Sequence, residues 1–354
     1  MKRNGKIELL RIIFCFCVVL THSKVFMDHK MFIKGALAVD FFFFVSGYLM
    51  ANSAFKKRTL SLDHLGAETC TFISRKIRAL MPNFMIAYGV AAIVMFSGQW
   101  QMESKKAVIK RLLETVWEPL QLTMAGFGTQ RVNGVDWYIS AMLLAMFILY
   151  PIIRKHFEMF IHVIGPAIAI FLYGYMYAKS GSPMGVFDEM LFATKGLFRA
   201  FAGISLGAGL YPVVKYLAAQ RLSSFSRCLV TLTETFCYGI FIYYCLTARN
   251  GRFDFQMILL VAVGVVCSFS HQGVFAALFD NPVSYFLGAF SLDVYLSHLY
   301  WGRWIDIKLA NMGDKEQFLC YISLCLATAF VIHVISRLIR LLMSKVDLKS
   351  IFIA

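Results

Sequence analysis

Gly35-Ala36-Leu37-Ala38-Val39-Asp40-Phe41-Phe42-Phe43-Phe44-Val45-Ser46-Gly47-Tyr48-Leu49-Met50 decides the fold. With the alanines and Asn52 that follow, residues 35–54 make a run of twenty positions holding one charged group, Asp40. As a helix rising about 1.5 Å per residue, such a run spans the ~30 Å hydrocarbon core of a bilayer. Runs like it recur down the 354-residue chain, which is 59% hydrophobic, 16% charged and has a mean hydropathy of +0.66. Soluble domains carry about 25% charged and 45–50% apolar residues, so a water-soluble globule is excluded. A membrane β-barrel is excluded too, because the runs are continuous rather than alternating with period two.

The sequence therefore predicts an all-α polytopic membrane protein, one domain over residues 1–354. About ten transmembrane helices are expected around a central polar cavity, at 9–27, 35–54, 79–97, 136–153, 159–177, 197–214, 228–247, 255–271, 283–301 and 317–342. The longest connection, 98–135, mixes Lys105, Lys106, Lys110 and Arg111 with Leu112, Leu113, Val116 and Leu120, a pattern suited to a helix on the membrane surface. No internal repeat is visible. The start of the chain is basic like a secretory signal, but Arg11 and His22 interrupt the apolar run and no small-residue cleavage site follows. That segment is expected to remain as the first span.

The formal charge of +15 comes from residues scattered between apolar runs, which points to membrane lipids and not to nucleic acid as a partner. Basic residues near the N-terminus (Lys2, Arg3, Lys6) and in the tail (Arg337, Arg340) favour both termini on the cytoplasmic side of a bacterial inner membrane, with a slight overall bias. Nine cysteines form no Cys-x-x-Cys pair and lie mostly within apolar runs. They read as small hydrophobes, and no metal site is expected.

Ionisable groups inside spans cost at least about 2.5–3.5 kcal/mol each on insertion scales, so each one asks for a partner or a wet cavity. Arg11 and His22 sit about three turns and ~16 Å apart on nearly one side of a helix. They either line one cavity, or Arg11 snorkels to headgroups while His22 marks the helix end. Asp40 needs a cation or a donor, and His22 in the neighbouring span is the expected partner, its imidazole oriented by the carboxylate; a purely structural hydrogen bond is the other reading. Ser46 and Gly47 permit close helix approach, and Ser46 has no base beside it in sequence. Arg75 and Arg78 share a helix face at i, i+3, suiting either phosphates or ordinary interfacial charge. Ser291, Tyr295 and His298 form a second polar stripe, with Asp293 nearby, that either lines a cavity or bonds between helices. Asp136 is read as a helix cap, with Trp137 and Tyr138 in an interfacial belt.

Together these elements resemble the acyltransferase-3 family of integral-membrane O-acyltransferases that modify bacterial surface glycans. The resemblance rests on Arg11 and His22 separated by ten residues in an apolar helix, on Val39 through Tyr48, on Arg75-Lys76-Ile77-Arg78 followed by Pro82, and on Ser291 through His298. Members with a fused extracytoplasmic domain carry a Trp-Ser-Leu-x-x-Glu-Glu motif, where this chain reads Trp137-Tyr138-Ile139-Ser140-Ala141-Met142-Leu143. It is thus similar to the stand-alone branch, and no residue inherits the glutamates' role.

The resemblance implies transfer of an acyl group, commonly acetyl, from acyl-CoA to a hydroxyl of a cell-surface polysaccharide or its lipid-linked precursor. It implies His22 as general base with Asp40 behind it, and Arg11, Arg75 and Arg78 on the CoA phosphates. Ser46, Tyr48, Trp137, Tyr295 and His298 are then expected to line the substrate cavity. A proton-coupled transporter or exporter is the rival reading, weakened by the absence of repeats and paired broken helices. Gly203 and Gly207 have the Gly-x-x-x-Gly spacing, which serves a homo-oligomer or packing within one chain equally.

Overall fold

A computed structural model describes residues 3–96, 105–127 and 131–345. The chain is built from α1 (Gly5–Thr21), α2 (Lys24–Asp28), α3 (Val39–Lys56), α4 (Leu65–Phe96), α5 (Lys105–Glu114), α6 (Asp136–Lys155), α7 (Phe157–Met159), α8 (Gly165–Ser180), α9 (Lys195–Gly209), α10 (Tyr211–Ala219), α11 (Ser224–Thr247), α12 (Asp254–Ser270), α13 (Pro282–Lys308) and α14 (Asp314–Lys345). A π-turn at Phe160–Ile164 joins α7 to α8. The β-structure of the described residues is one antiparallel pair, Glu189–Met190 with Ala193–Thr194. Within the long connection, residues 98–104 and 128–130 lie outside the described residues, as do Lys2 and Lys349.

A helix stands at every predicted span, but the expected count of ten is not reproduced. Seven helical segments among the described residues are long and apolar enough to cross a membrane. Asp254–Ser270 is apolar but shorter. At the first span the helix closes at Thr21 after 17 residues. The ninth, α13, buries Ser284, Ser291, Asp293, Ser297 and His298 along its length.

Helix α1 packs along α13, α13 against α14 and α4, and α3 along α9, which also touches α6 and α8. Close approach of α3 and α9 requires the missing side chains of Gly47 and Gly207. A Cβ on Gly47 would stand 2.0 Å from the Ile204 carbonyl oxygen, and one on Gly207 2.3 Å from that of Phe44. The Gly-x-x-x-Gly spacing is therefore used inside the chain. Between these helices run aromatic contacts such as Phe14 with Phe41, ring centroids 4.5 Å apart.

Helix α5 lies exposed, with Ile109, Leu112 and Leu113 as open as Lys110 and Arg111.

Candidate functional site

Two cavities lie next to each other and share part of their lining. The first, about 240 Å³, is lined by Arg11, Ser46, Lys76, Tyr138, Met142 and Ser291 among mostly apolar neighbours. The second, about 580 Å³, is lined by His22, Arg131, Trp137, Arg199, His298 and Arg303. Val39 and Tyr295 line both. Arg11 and His22 thus belong to different cavities, Arg11 toward the N-terminal end of α1 and His22 at its C-terminal end. The Tyr295 hydroxyl, common to both linings, donates to the Val135 carbonyl, 2.9 Å.

His22 caps the end of α1, where the chain leaves the helix and α13 comes close at Gly302; a Cβ there would lie 3.2 Å from the His22 carbonyl oxygen. Its ring lies against that of His298, centroids 5.2 Å apart. His298 is fully buried, and its Nδ1 is 2.6 Å from the Tyr295 carbonyl. A carbonyl only accepts, so Nδ1 carries hydrogen. Nε2 is buried and without a partner among the described residues.

Asp40 does not orient His22. One of its oxygens takes the Arg199 guanidinium (Nη2 2.6 Å, Nε 3.0 Å), and the other accepts from the Tyr173 hydroxyl at 2.7 Å. Asp40 and Arg199 are both fully buried, and Arg199 also donates to the Ala36 carbonyl, 2.8 Å. A carboxylate in an aromatic helix takes the strongest cation within reach, and a guanidinium outcompetes a neutral imidazole for that place. Asp40 thereby positions Arg199 on the wall of the larger cavity.

The basic motif on α4 is likewise redistributed. Arg75 and Arg78 are exposed, while Lys76 between them reaches the smaller cavity. Arg11 pairs with Glu8, 3.1 Å, as it lines that cavity. Ser46 lines it too and donates to the Met142 sulfur, 3.4 Å. Trp137 and Tyr295 line the larger cavity. Tyr48 does not: it is buried against Phe269, ring centroids 4.0 Å apart, and against Tyr211.

Asp136 is no cap. Val135 occupies the cap position of α6, and Asp136 accepts from the Thr123 hydroxyl, 2.5 Å. Asp293 is bonded by Asn83 and by His333, the latter at 2.8 Å, on the side of α13 facing α4 and α14.

Sequence reading missed Arg131, Arg199 and Arg303. Arg199 falls inside the predicted 197–214 span, so the insertion cost that singled out Arg11 applies to it equally. Arg131 and Arg303 carried no signal, because they sit beyond span ends where basic residues are ordinary. The turn that presents Arg131 is folded by Glu118, which accepts from the backbone N–H groups of Val132, Asn133 and Gly134 at 3.0, 3.1 and 2.9 Å. Burial, and then the Asp136 carboxylate beside it, push the Glu118 carboxyl from 4.5 up to about 7.

No curated protein and no solved structure matches the chain. The acyltransferase domain of the acyltransferase-3 family matches residues 4–337, nearly the whole chain. With several helices able to cross a bilayer and two cavities between them, the chain is a multi-pass membrane acyltransferase and belongs to the acyltransferase-3 family.

Proposed function

We propose that the protein moves an acyl group, acetyl by preference, from acyl-CoA to a hydroxyl of a cell-surface polysaccharide or its lipid-linked precursor. The observation that carries this reading is the pair of cavities meeting at Tyr295 and Val39, cationic at both ends and with an imidazole in the larger. With both termini cytoplasmic in a bacterial inner membrane, the smaller cavity faces inward and takes the thioester arm of the donor. Arg11 and Lys76 line it, and Arg75 and Arg78 stand exposed on the same stretch of α4. Guanidinium forks and an ammonium suit the phosphates of CoA.

The acceptor enters the larger cavity. His22 takes the proton of its hydroxyl as that oxygen attacks the thioester carbonyl. The carbon–sulfur bond then breaks, and the proton passes to the departing thiolate, giving the ester and free CoA. His298, anchored on the Tyr295 carbonyl, positions the His22 ring. Asp40 acts through Arg199 and not through the base.

The test is thiol release from acetyl-CoA by the full chain in nanodiscs, with and without glycan extracted from the native envelope. Ester formation matched by CoA release is expected. No CoA release with any acyl-CoA overturns the reading, and an unchanged rate in His22→Ala removes His22 from it.

A further inference from the structure

Three guanidinium groups line the larger cavity, and among the described residues no carboxylate does. Arg199 is fixed by Asp40 through Nε and Nη2, while Nη1 is buried with no partner among the described residues. The same holds for Nε of Arg131, whose guanidinium lies flat on the Phe187 ring, 3.4 Å from its centroid. Arg303 approaches the turn at Gly134, where an added Cβ would stand 3.1 Å from its Nη2. Glu118 and Asp136 are not among its described lining residues: Glu118 accepts from the backbone N–H groups of Val132, Asn133 and Gly134, and Asp136 from the Thr123 hydroxyl. Buried guanidinium nitrogens without acceptors are costly to maintain, and planar forks of this kind match carboxylates and phosphates. Transfer of a neutral acyl group to a neutral sugar uses none of them.

We propose that the larger cavity binds an acceptor carrying a compact anion, a phosphate or carboxylate on the sugar, held between Arg131, Arg303 and the free nitrogen of Arg199. A volume of about 580 Å³ falls within the ~300–1,000 Å³ of small-molecule sites and exceeds what a short acyl chain fills, which places the anion on the sugar and not on the acyl group. The acceptor role rests on the acyl-transfer reading above; anion binding does not.

Binding of glucose 1-phosphate, glucuronate and glucose to the full chain in nanodiscs is measured by calorimetry, with CoA saturating so that the donor site is filled. The two anionic sugars are expected to bind at least about tenfold more tightly than glucose, and Arg131→Gln and Arg303→Gln each to weaken them about tenfold, with partial recovery in Arg303→Lys. Equal binding of glucose and its anionic forms overturns the proposal, as does unchanged binding in both Gln variants. Turnover of succinyl-CoA faster than acetyl-CoA on a neutral acceptor, lost in Arg303→Gln, moves the anion to the acyl group and also overturns it. Tight anion binding without any CoA release separates the two readings: the site stands and the transfer reaction falls.

Discussion

A carboxylate with no exposed surface, set between phenylalanines, is tolerable only when both oxygens are met by donors. Asp40 meets this condition through Arg199 and Tyr173. Asp40→Asn leaves the guanidinium buried without its counter-charge, and breaking one side of such a pair costs about 3–5 kcal/mol. A marked fall in the thermal midpoint of the detergent-purified protein is expected, and replacing Arg199 by Met in the same chain is expected to recover part of it. A variant as stable as the parent refutes the pairing. At His22 the expectation differs: His22→Ala lowers kcat for CoA release about 10²–10⁴-fold while acetyl-CoA affinity, measured by calorimetry, changes little, because the cavity proposed for the donor is the other one.

Elements meet where side chains are missing. Helices α3 and α9 cross with Gly47 and Gly207 against opposing carbonyls, so backbone and not a flexible side chain blocks any substituent. Gly207→Val is expected to separate the helices and, with them, Asp40 from Arg199. The readout is a lowered melting midpoint together with lost activity, and wild-type stability in this variant contradicts the packing.

The turn after α5 makes a pH prediction. Glu118 is raised from 4.5 to about 7, so folding binds a proton between those values. The stability this group contributes is present below pH ~4.5 and is lost as pH rises through about 7. In Glu118→Gln, which cannot titrate, the decline of the melting midpoint between pH 5 and 7.5 is expected to flatten; an identical slope rules the linkage out.

On the scale of the whole molecule, the cavities proposed for donor and acceptor share part of their lining. Tyr295 and Val39 line both cavities, and the Tyr295 hydroxyl is tied to Val135. An open passage would admit water to the thioester as readily as a sugar hydroxyl. Tyr295→Ala is expected to raise CoA release in the absence of acceptor and to lower the ester formed per CoA released. Unchanged coupling in that variant contradicts this role for Tyr295.

Long apolar runs dictated helices and membrane placement without help from tertiary contacts, because a buried backbone in lipid has only the helix or a closed barrel to satisfy it. The same physics marked Arg11, His22 and Asp40 as groups needing partners, since an ionisable side chain in hydrocarbon is costly whatever surrounds it. Which partner each one found was not encoded locally. Asp40 lies 159 positions from Arg199 and 18 from His22, and chain separation favoured the wrong one. Lys76 rather than its flanking arginines faces the smaller cavity because the rotation of α4 is set by packing against α6, α13 and α14. Composition and spacing determined the class of molecule and its polar groups; their pairing, and their distribution between two cavities, came from how the helices fit together, a matter of shape and distance that linear order does not contain.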